Sequence, residues 1–463
     1  MAKISMTASH ALLINPWIYD FAAYDLWAKP LGLLYLAAFL ERNGWRVDLI
    51  DCLDVHHPAL LGRCPLPARR ADHRGHYHRQ EVAKPSPLAN IPRRYYRFGM
   101  PAEVFEEILD TLPRPQAVLV TSGMTYWYQG VHEVTAAVRR QFPGVPVLVG
   151  GTYATLCTEH AQRVTGADVV VRGPGERPVT EFLADLSGGA VFQPPLDLDG
   201  LPYPAFHLYA HLDYVCVRTS RGCPFGCTYC AAGALNQGFL TRDPDAVADE
   251  ICHWINEYAV KDVVFYDDAL LCREEHIVSL LGELKRRRVR ARFHTPNGLH
   301  ARGMTGEIAQ LMYECGFATV RVGLETSSPE RQGATGGKVT TNEFVEAVAC
   351  LRAAGYQSHE IGAYILVGLP GQTREEVEET ITVVRESGAR PYLAEYSPLP
   401  GTGLWEEARA CSPFDVDAEP LFHNNTILPC RWERLTWEDL RELKDVVHIT
   451  GEPARCASRA KVI

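Results

Sequence analysis

Tyr214-Val215-Cys216-Val217-Arg218-Thr219-Ser220-Arg221-Gly222-Cys223-Pro224-Phe225-Gly226-Cys227-Thr228-Tyr229-Cys230 couples an apolar run to a loop carrying three cysteines. The run Tyr214–Thr219 is short and bounded by turn residues, as a buried strand requires. Behind it, Cys223, Cys227 and Cys230 lie within eight residues. That spacing lets one loop wrap a compact metal centre, with Gly222 and Gly226 permitting the tight backbone. Four protein thiolates saturate a four-iron cluster, whereas three leave one iron open to a small molecule. Cys216 is the alternative fourth ligand, of a structural zinc or electron-transfer site, but it falls inside the strand and not on the loop.

Downstream, the chain repeats the same step. Strands are expected at Asp262–Tyr266, Val289–Phe293, Thr319–Gly323, Ile361–Val367 and Tyr392–Tyr396. Helices are expected between them, at Ala246–Tyr258, Ile277–Arg287, Gly306–Cys315, Glu343–Ala354 and Arg374–Glu386. Six βα-type steps over residues 213–400 suit a partial (β/α)6 TIM-like barrel, with functional residues at the strand carboxyl ends. Upstream, residues 1–190 alternate strands (Ala11–Asn15, Arg46–Asp51, Ala117–Thr121, Val145–Gly150, Asp168–Arg172) with helices (Leu31–Asn43, Ala102–Leu112, Gly130–Gln141, Thr158–Val164). That is the pattern of a doubly wound, Rossmann-like α/β domain, whose ligand crevice lies outside the strand carboxyl ends. Residues 191–212, from Pro194-Pro195 to Pro202-Tyr203-Pro204, form a linker, and 401–463 a small C-terminal extension.

Composition excludes several classes. At 463 residues, with 46% hydrophobic and 22% charged, the chain is an ordinary multidomain globular protein. Its net charge of −10 argues against nucleic acid as the main partner. Leu31–Leu40 is too short to span a bilayer, and no export signal precedes it, so a cytoplasmic location is expected. Fourteen cysteines in a reducing compartment point to metal ligation rather than disulfides. Residues 52–100 break the rhythm, carrying nine Arg/Lys and five His against three acids. So long a connection is either a solvated surface insertion or a flap that contacts a carboxylate- or phosphate-bearing ligand.

The Cys-x3-Cys-x2-Cys loop, with Tyr229 before its last cysteine, resembles that of radical S-adenosylmethionine (SAM) enzymes. The resemblance implies that Cys223, Cys227 and Cys230 hold a 4Fe–4S cluster whose fourth iron is chelated by SAM. Reductive cleavage of SAM then gives a 5′-deoxyadenosyl radical, with an electron from a flavodoxin- or ferredoxin-type donor. Tyr266-Asp267-Asp268-Ala269-Leu270-Leu271 stands where the family often has Gly-Gly-Glu, which makes Asp268 the acceptor for the methionine amino group. A helix N-cap explains an Asp in this place as well. Gly323-Leu324-Glu325-Thr326-Ser327-Ser328 is similar to the ribose and carboxylate contact segment, with Glu325 and Ser327 as hydroxyl partners. Gly368-Leu369-Pro370-Gly371 is similar to the adenine-backing turn; after the third strand, Asn297 either faces the cavity or serves the turn Pro296-Asn297-Gly298.

The N-terminal domain resembles the cobalamin-binding domain of one large subclass. Ser122-Gly123-Met124, Gly150-Gly151-Thr152 and Gly173-Pro174-Gly175-Glu176 sit at successive strand ends. In that family such small residues let the backbone approach the nucleotide tail, which makes Ser122, Gly150, Gly151 and Gly175 the contacts. Tyr126, Trp127 and Tyr128 either stack on the corrin or fill the domain interface. Residues 11–55 contain no histidine, and Asp54-Val55-His56 lacks the closing glycine of the His-ligated type. Bound cobalamin is then expected without a His ligand at this position; a degenerate domain binding no corrin is the alternative.

The reaction implied is methylation of an unactivated carbon in a small-molecule or peptide substrate. Two alternatives stand beside it: a non-methylating rearrangement, oxidation or cyclisation, and a non-enzymatic Fe–S or corrin-responsive sensor. Methylthio transfer is disfavoured, because no second three-cysteine cluster lies in the first domain. His423, Asn424, Asn425, Cys430 and Trp432 are candidates for a substrate-side wall.

Overall fold

The computed structural model describes residues 9–187, 195, 197–236 and 238–449. The N-terminal sheet is built from β1 (His10–Asn15), β2 (Arg46–Asp51), β3 (Ala117–Val120), β4 (Val147–Val149) and β5 (Val169–Val170). They lie in the order β5-β4-β3-β1-β2, every ladder parallel. Alternate side chains of β1 serve opposite faces. Leu12 and Ile14 meet Phe105 of the helix Ala102–Thr111 and Val134 of Tyr128–Gln141. Ala11 and Leu13 meet Leu33 of Leu31–Arg42 and Leu183 of Glu176–Ser187. Each fully buried Leu, Ile or Phe here contributes about 1.5–3 kcal/mol, and covering both faces makes the sheet doubly wound.

The second sheet runs in strict sequence order: β6 (Val215–Val217), β7 (Asp262–Phe265), β8 (Arg292–His294), β9 (Phe317–Glu325), β10 (Ile361–Val367) and β11 (Arg390–Glu395). All ladders are parallel, and the two-residue strand Leu299–His300 adds to β9. Among the described residues no ladder joins β6 to β11, so the barrel is open, as six βα steps require. The helices start and stop where capping chemistry dictates. Thr340 and Glu343 form a capping box at the helix Thr341–Ala354, which Gly355 ends at φ 117°.

Residues 52–100 do not form a solvated loop. Arg79–Val82 and Tyr95–Phe98 pair antiparallel with each other, and Tyr95–Phe98 also pairs with Ile18–Asp20. The segment then covers the amino end of the barrel. Arg292 at the start of β8 donates to the Ala71 carbonyl (2.8 Å), and His73 lies 3.5 Å from Asp262 at the start of β7. Its basic side chains meet acids: Arg69 pairs with Asp25 (2.7 Å) and Asp213 (3.5 Å) and Arg74 with Asp72 (2.6 Å), while His56 and His73 contact Asp213 (2.8 and 3.3 Å). Trp27 stacks on His294 inside the barrel and donates to the Asp72 carbonyl.

The C-terminal extension clasps both domains. His423 is buried between the Thr125 hydroxyl (2.9 Å) and the Val416 carbonyl (2.7 Å), and Asn424 donates to Asp20 (2.9 Å). Trp432 donates to the Gln372 carbonyl (2.7 Å). These residues, expected at a substrate wall, fix the domains to one another instead. Of the expected linker, residues 191–194 and 196 lie outside the described residues. No helix among the described residues is long and apolar enough to cross a membrane.

Candidate cofactor site

The cysteine loop is anchored at both ends. Ser220–Gly222 pairs antiparallel with Phe239–Thr241, a hairpin that brackets the loop and that hydrophobic patterning does not reveal. Gly222 has φ 84°, and a Cβ there would stand 2.1 Å from the Gly238 carbonyl oxygen, so only glycine fits. Gly226 is different: a Cβ there meets nothing within 4 Å, which corrects the expectation that the loop needs it. Phe225 stacks on His300 at 4.4 Å, and Thr228 accepts Leu404 N–H and donates its own N–H to Thr335.

The three thiols share one space. Burial pushes the Cys223 thiol up, and the charges of Cys227, Cys230 and Asp268 push it further. Burial likewise raises Cys230, with Cys227 and Asp268 adding to it and Lys338 opposing. Three thiols brought together on one loop form a donor set suited to a positive metal centre. Cys216 takes no part: it is fully buried, its sulfur faces the Trp27 carbonyl at 3.6 Å, and burial pushes its thiol up to about 12.

The adjacent carboxylates divide their tasks. Asp267 is buried and accepts from Thr219 N–H and from the Thr219 and Ser220 hydroxyls, which staples the end of β6 to the end of β7. Asp268 lines an open cavity beside the thiols, and burial holds its carboxyl above the ordinary range against the pull of Arg218. Glu325, at the end of β9, adopts φ 68° and takes an ion pair from Lys338 at 2.7 Å. Burial opposes the Lys338 charge, but Glu325 and the thiols of Cys227 and Cys230 outweigh it and raise the ammonium. Sequence reasoning missed Lys338; its signal was Gly336-Gly337-Lys338 in a loop that abuts Cys227.

Ser327 is placed elsewhere. Its hydroxyl bonds to Thr380 at 3.0 Å, and it lines an outer depression with Thr341 and Glu375, so it does not share the space of Glu325. Gly368 follows β10 at φ 90°, and Gln372 shapes its turn by accepting from the Gly368 and Leu369 N–H groups.

One cavity of about 350 Å³ joins the two sheets, near the lower end of the range for ligand sites. The first domain contributes Ser122, Gly150, Gly151 and Gly175; the second contributes Arg218, Arg221 and Asp268. Ser122 donates to the Gly150 carbonyl (2.6 Å) and accepts Ala154 N–H (3.2 Å), locking neighbouring strand ends together. Gly151 sits at φ 97° with the Ser122 carbonyl oxygen 2.4 Å from where a Cβ would stand.

Comparison with known proteins decides the family. The Radical SAM superfamily model matches residues 217–384, and the B12 binding domain model matches residues 94–183. The chain is a radical SAM enzyme with a B12-binding domain. An uncharacterized methyltransferase, PH0819, from Pyrococcus horikoshii is 27% identical over 73% of this chain and 76% of its own. The anaerobic magnesium-protoporphyrin IX monomethyl ester cyclase of Cereibacter sphaeroides is 24% identical over 63% of this chain but only 53% of its own length. Among solved structures, the radical SAM methyltransferase TsrM from Kitasatospora setae aligns with TM-score 0.64 and 18% identity, covering 88% of this chain and 77% of that one.

The family implies a 4Fe–4S cluster, SAM and a reductant, and the B12-binding domain suggests cobalamin. In this radical SAM enzyme the donor set and the cavity fit those groups: the three loop thiols, and glycine-walled strand ends. No histidine lines the cavity among the described residues, and His56 is bound to Asp213 at 2.8 Å. The three aromatics after β3 do not line it. Trp127 donates to Asp20 and packs within the first domain, while Tyr128 donates to Glu419 and Tyr126 is buried beside Asn425, so these two fill the interface with the C-terminal extension.

Proposed function

We propose that this radical SAM enzyme is a cobalamin-dependent methyltransferase acting on an unactivated carbon. The observation that carries the reading is the shared cavity, which puts the glycine-rich strand ends of the B12-binding domain and the cluster-side Asp268 on one space. When bound, cluster and SAM supply a radical initiator and cobalamin a methyl carrier, while the protein orients them and excludes water. Cys223, Cys227 and Cys230 hold the cluster, and Asp268 takes the ammonium of the methionyl group through charge-assisted hydrogen bonds. Glu325, held by Lys338, and Gly368 border SAM; Ser122, Gly150, Gly151 and Gly175 admit the nucleotide tail. The proposed division is 1–190 for cobalamin, 191–212 as linker, 213–400 for radical chemistry and 401–463 as clasp.

Methyl transfer is supported by the methyltransferase relative, and the cyclase relative favours a second reading in which cobalamin serves non-methylating chemistry. One test needs no substrate. The reconstituted enzyme is reduced anaerobically to cob(I)alamin, SAM is added, and the corrin spectrum is followed with S-adenosylhomocysteine release. Conversion to methylcobalamin with stoichiometric S-adenosylhomocysteine is expected. Persistence of cob(I)alamin, with 5′-deoxyadenosine as the sole SAM product, would favour the cyclase-type reading.

A further inference from the structure

A second cavity, of about 270 Å³, lies inside the barrel. Trp27 and Arg74 bound it from the segments that cover the barrel's amino end. Arg321 of β9 and the rings of Tyr266 and Tyr364 form its walls. Along β9, Arg321 precedes Glu325, and the ladder to β10 shifts register between Gly323 and Glu325. At Gly323 between them, the Glu325 carboxylate and the Lys338 ammonium take up the space of a side chain, 2.5 and 3.0 Å from where a Cβ would stand. Tyr266 and Asn297, which donates to the Asp267 carbonyl at 3.3 Å, also line the cavity, so it reaches the strand ends beside Asp268.

Arg321 is the unusual group. It is 6% exposed, yet among the described residues no carboxylate pairs with it. Its contacts are the Val320 carbonyl at 3.2 Å and the face of Tyr392, 4.2 Å from the guanidinium. The cations nearest in influence are Arg74 and Arg390, which oppose its charge. Arg74 is itself bound by Asp72 at 2.6 Å, and among the described residues no Asp or Glu lines the cavity. A buried guanidinium without a counter-ion is costly and has a rigid fork of donors left to satisfy. An incoming anion supplies both the charge and the acceptors. Arginine meets carboxylate and phosphate in the same bidentate way.

We propose that the barrel cavity holds the anionic end, carboxylate or phosphate, of a small flat-bodied substrate, with Arg321 as its principal partner and Arg74 beside it. The inference rests on the radical-enzyme reading only in treating the ligand as substrate. It also gives a role to the basic insertion, which supplies Arg74 to the cavity.

The test compares three probes of like body, phenyl phosphate, benzoate and benzyl alcohol, by calorimetric titration of the reconstituted full-length enzyme. Wild type is compared with Arg321→Met and Arg321→Lys. One or both anions are expected to bind wild type at least about tenfold tighter than benzyl alcohol, and their ratio assigns phosphate or carboxylate. Arg321→Met loses that preference while its melting temperature is unchanged or higher, because a buried unpaired charge has been removed. Arg321→Lys retains part of the preference. Equal binding of anion and alcohol, absence of anion binding to wild type, or an anion preference that survives in Arg321→Met would overturn the proposal. Iron and corrin contents of the same preparations report separately on the radical-enzyme reading.

Discussion

Arg221 and Glu176 form an ion pair at 2.5 Å that ties the cysteine-loop strand to the Gly173-Pro174-Gly175-Glu176 turn of the B12-binding domain. Both side chains are largely buried, at 18% and 16% exposure, so water screens the pair only weakly. Both residues also line the shared cavity, which makes this pair a strut across the two cofactor regions. Glu176→Gln is expected to weaken cobalamin retention about tenfold while leaving the iron content unchanged. Gel filtration of the reconstituted variant, with corrin absorbance and iron assayed on the protein peak, reads both quantities. Equal loss of iron would show that the strut supports the loop rather than the corrin side.

The three loop cysteines and Cys216 are expected to separate cleanly. Ala at Cys223, Cys227 or Cys230 removes one of three donors and abolishes a stable cluster. Cys216→Ala deletes a small buried group and costs about 1–2 kcal/mol of stability with iron retained. Iron and sulfide assays with electron paramagnetic resonance of the reduced protein distinguish them. Loss of the cluster in Cys216→Ala would restore the four-cysteine reading.

Asp213 anchors the basic insertion to the barrel. Burial opposes its charge, but His56, His73 and Arg69 outweigh that and hold its carboxyl well below the ordinary range. A depressed folded value stabilises the fold above the unfolded aspartate value of about 3.9, and the contribution is lost as pH falls from there through the folded value. Asp213→Asn is therefore expected to cost about 2–4 kcal/mol near neutrality. The difference from wild type narrows as the pH is lowered below about 4. Denaturant melts across pH, with limited proteolysis of the 52–100 segment, measure it; a difference that widens in acid would contradict the sign.

Most of the framework could be read from periodicity. β1, β2 and β10 lie within a residue of their expected bounds, because each is an apolar run framed by polar turns. Gly306–Cys315 and Arg374–Glu386 were likewise bounded by capping residues. The cysteine loop was legible because ligand spacing is local. Other features depend on residues far apart in the chain. The hairpin around the loop uses strands of three residues each, too short for a pattern. The Lys338–Glu325 pair, the dock of 52–100 on Asp213 and Asp262, and the His423–Thr125 clasp form only when separate elements meet. Ser327 was misplaced for a related reason: two residues past the strand end, a hydroxyl can turn to either side, and Thr380 captured it.

On the proposed reading, one chain carries both a cluster site and a corrin site, and the cavity lined by Asp268 and the glycine-rich strand ends lies between them. Anaerobic reconstitution with iron, sulfide and hydroxocobalamin, followed by desalting, measures both at once as iron count and corrin absorbance per chain. Near four irons and one corrin are expected in wild type, with corrin alone lost in Gly151→Val, where the added side chain meets Ser122. A full complement of iron with no retained corrin in wild type would contradict the claim and leave the first domain in need of another ligand.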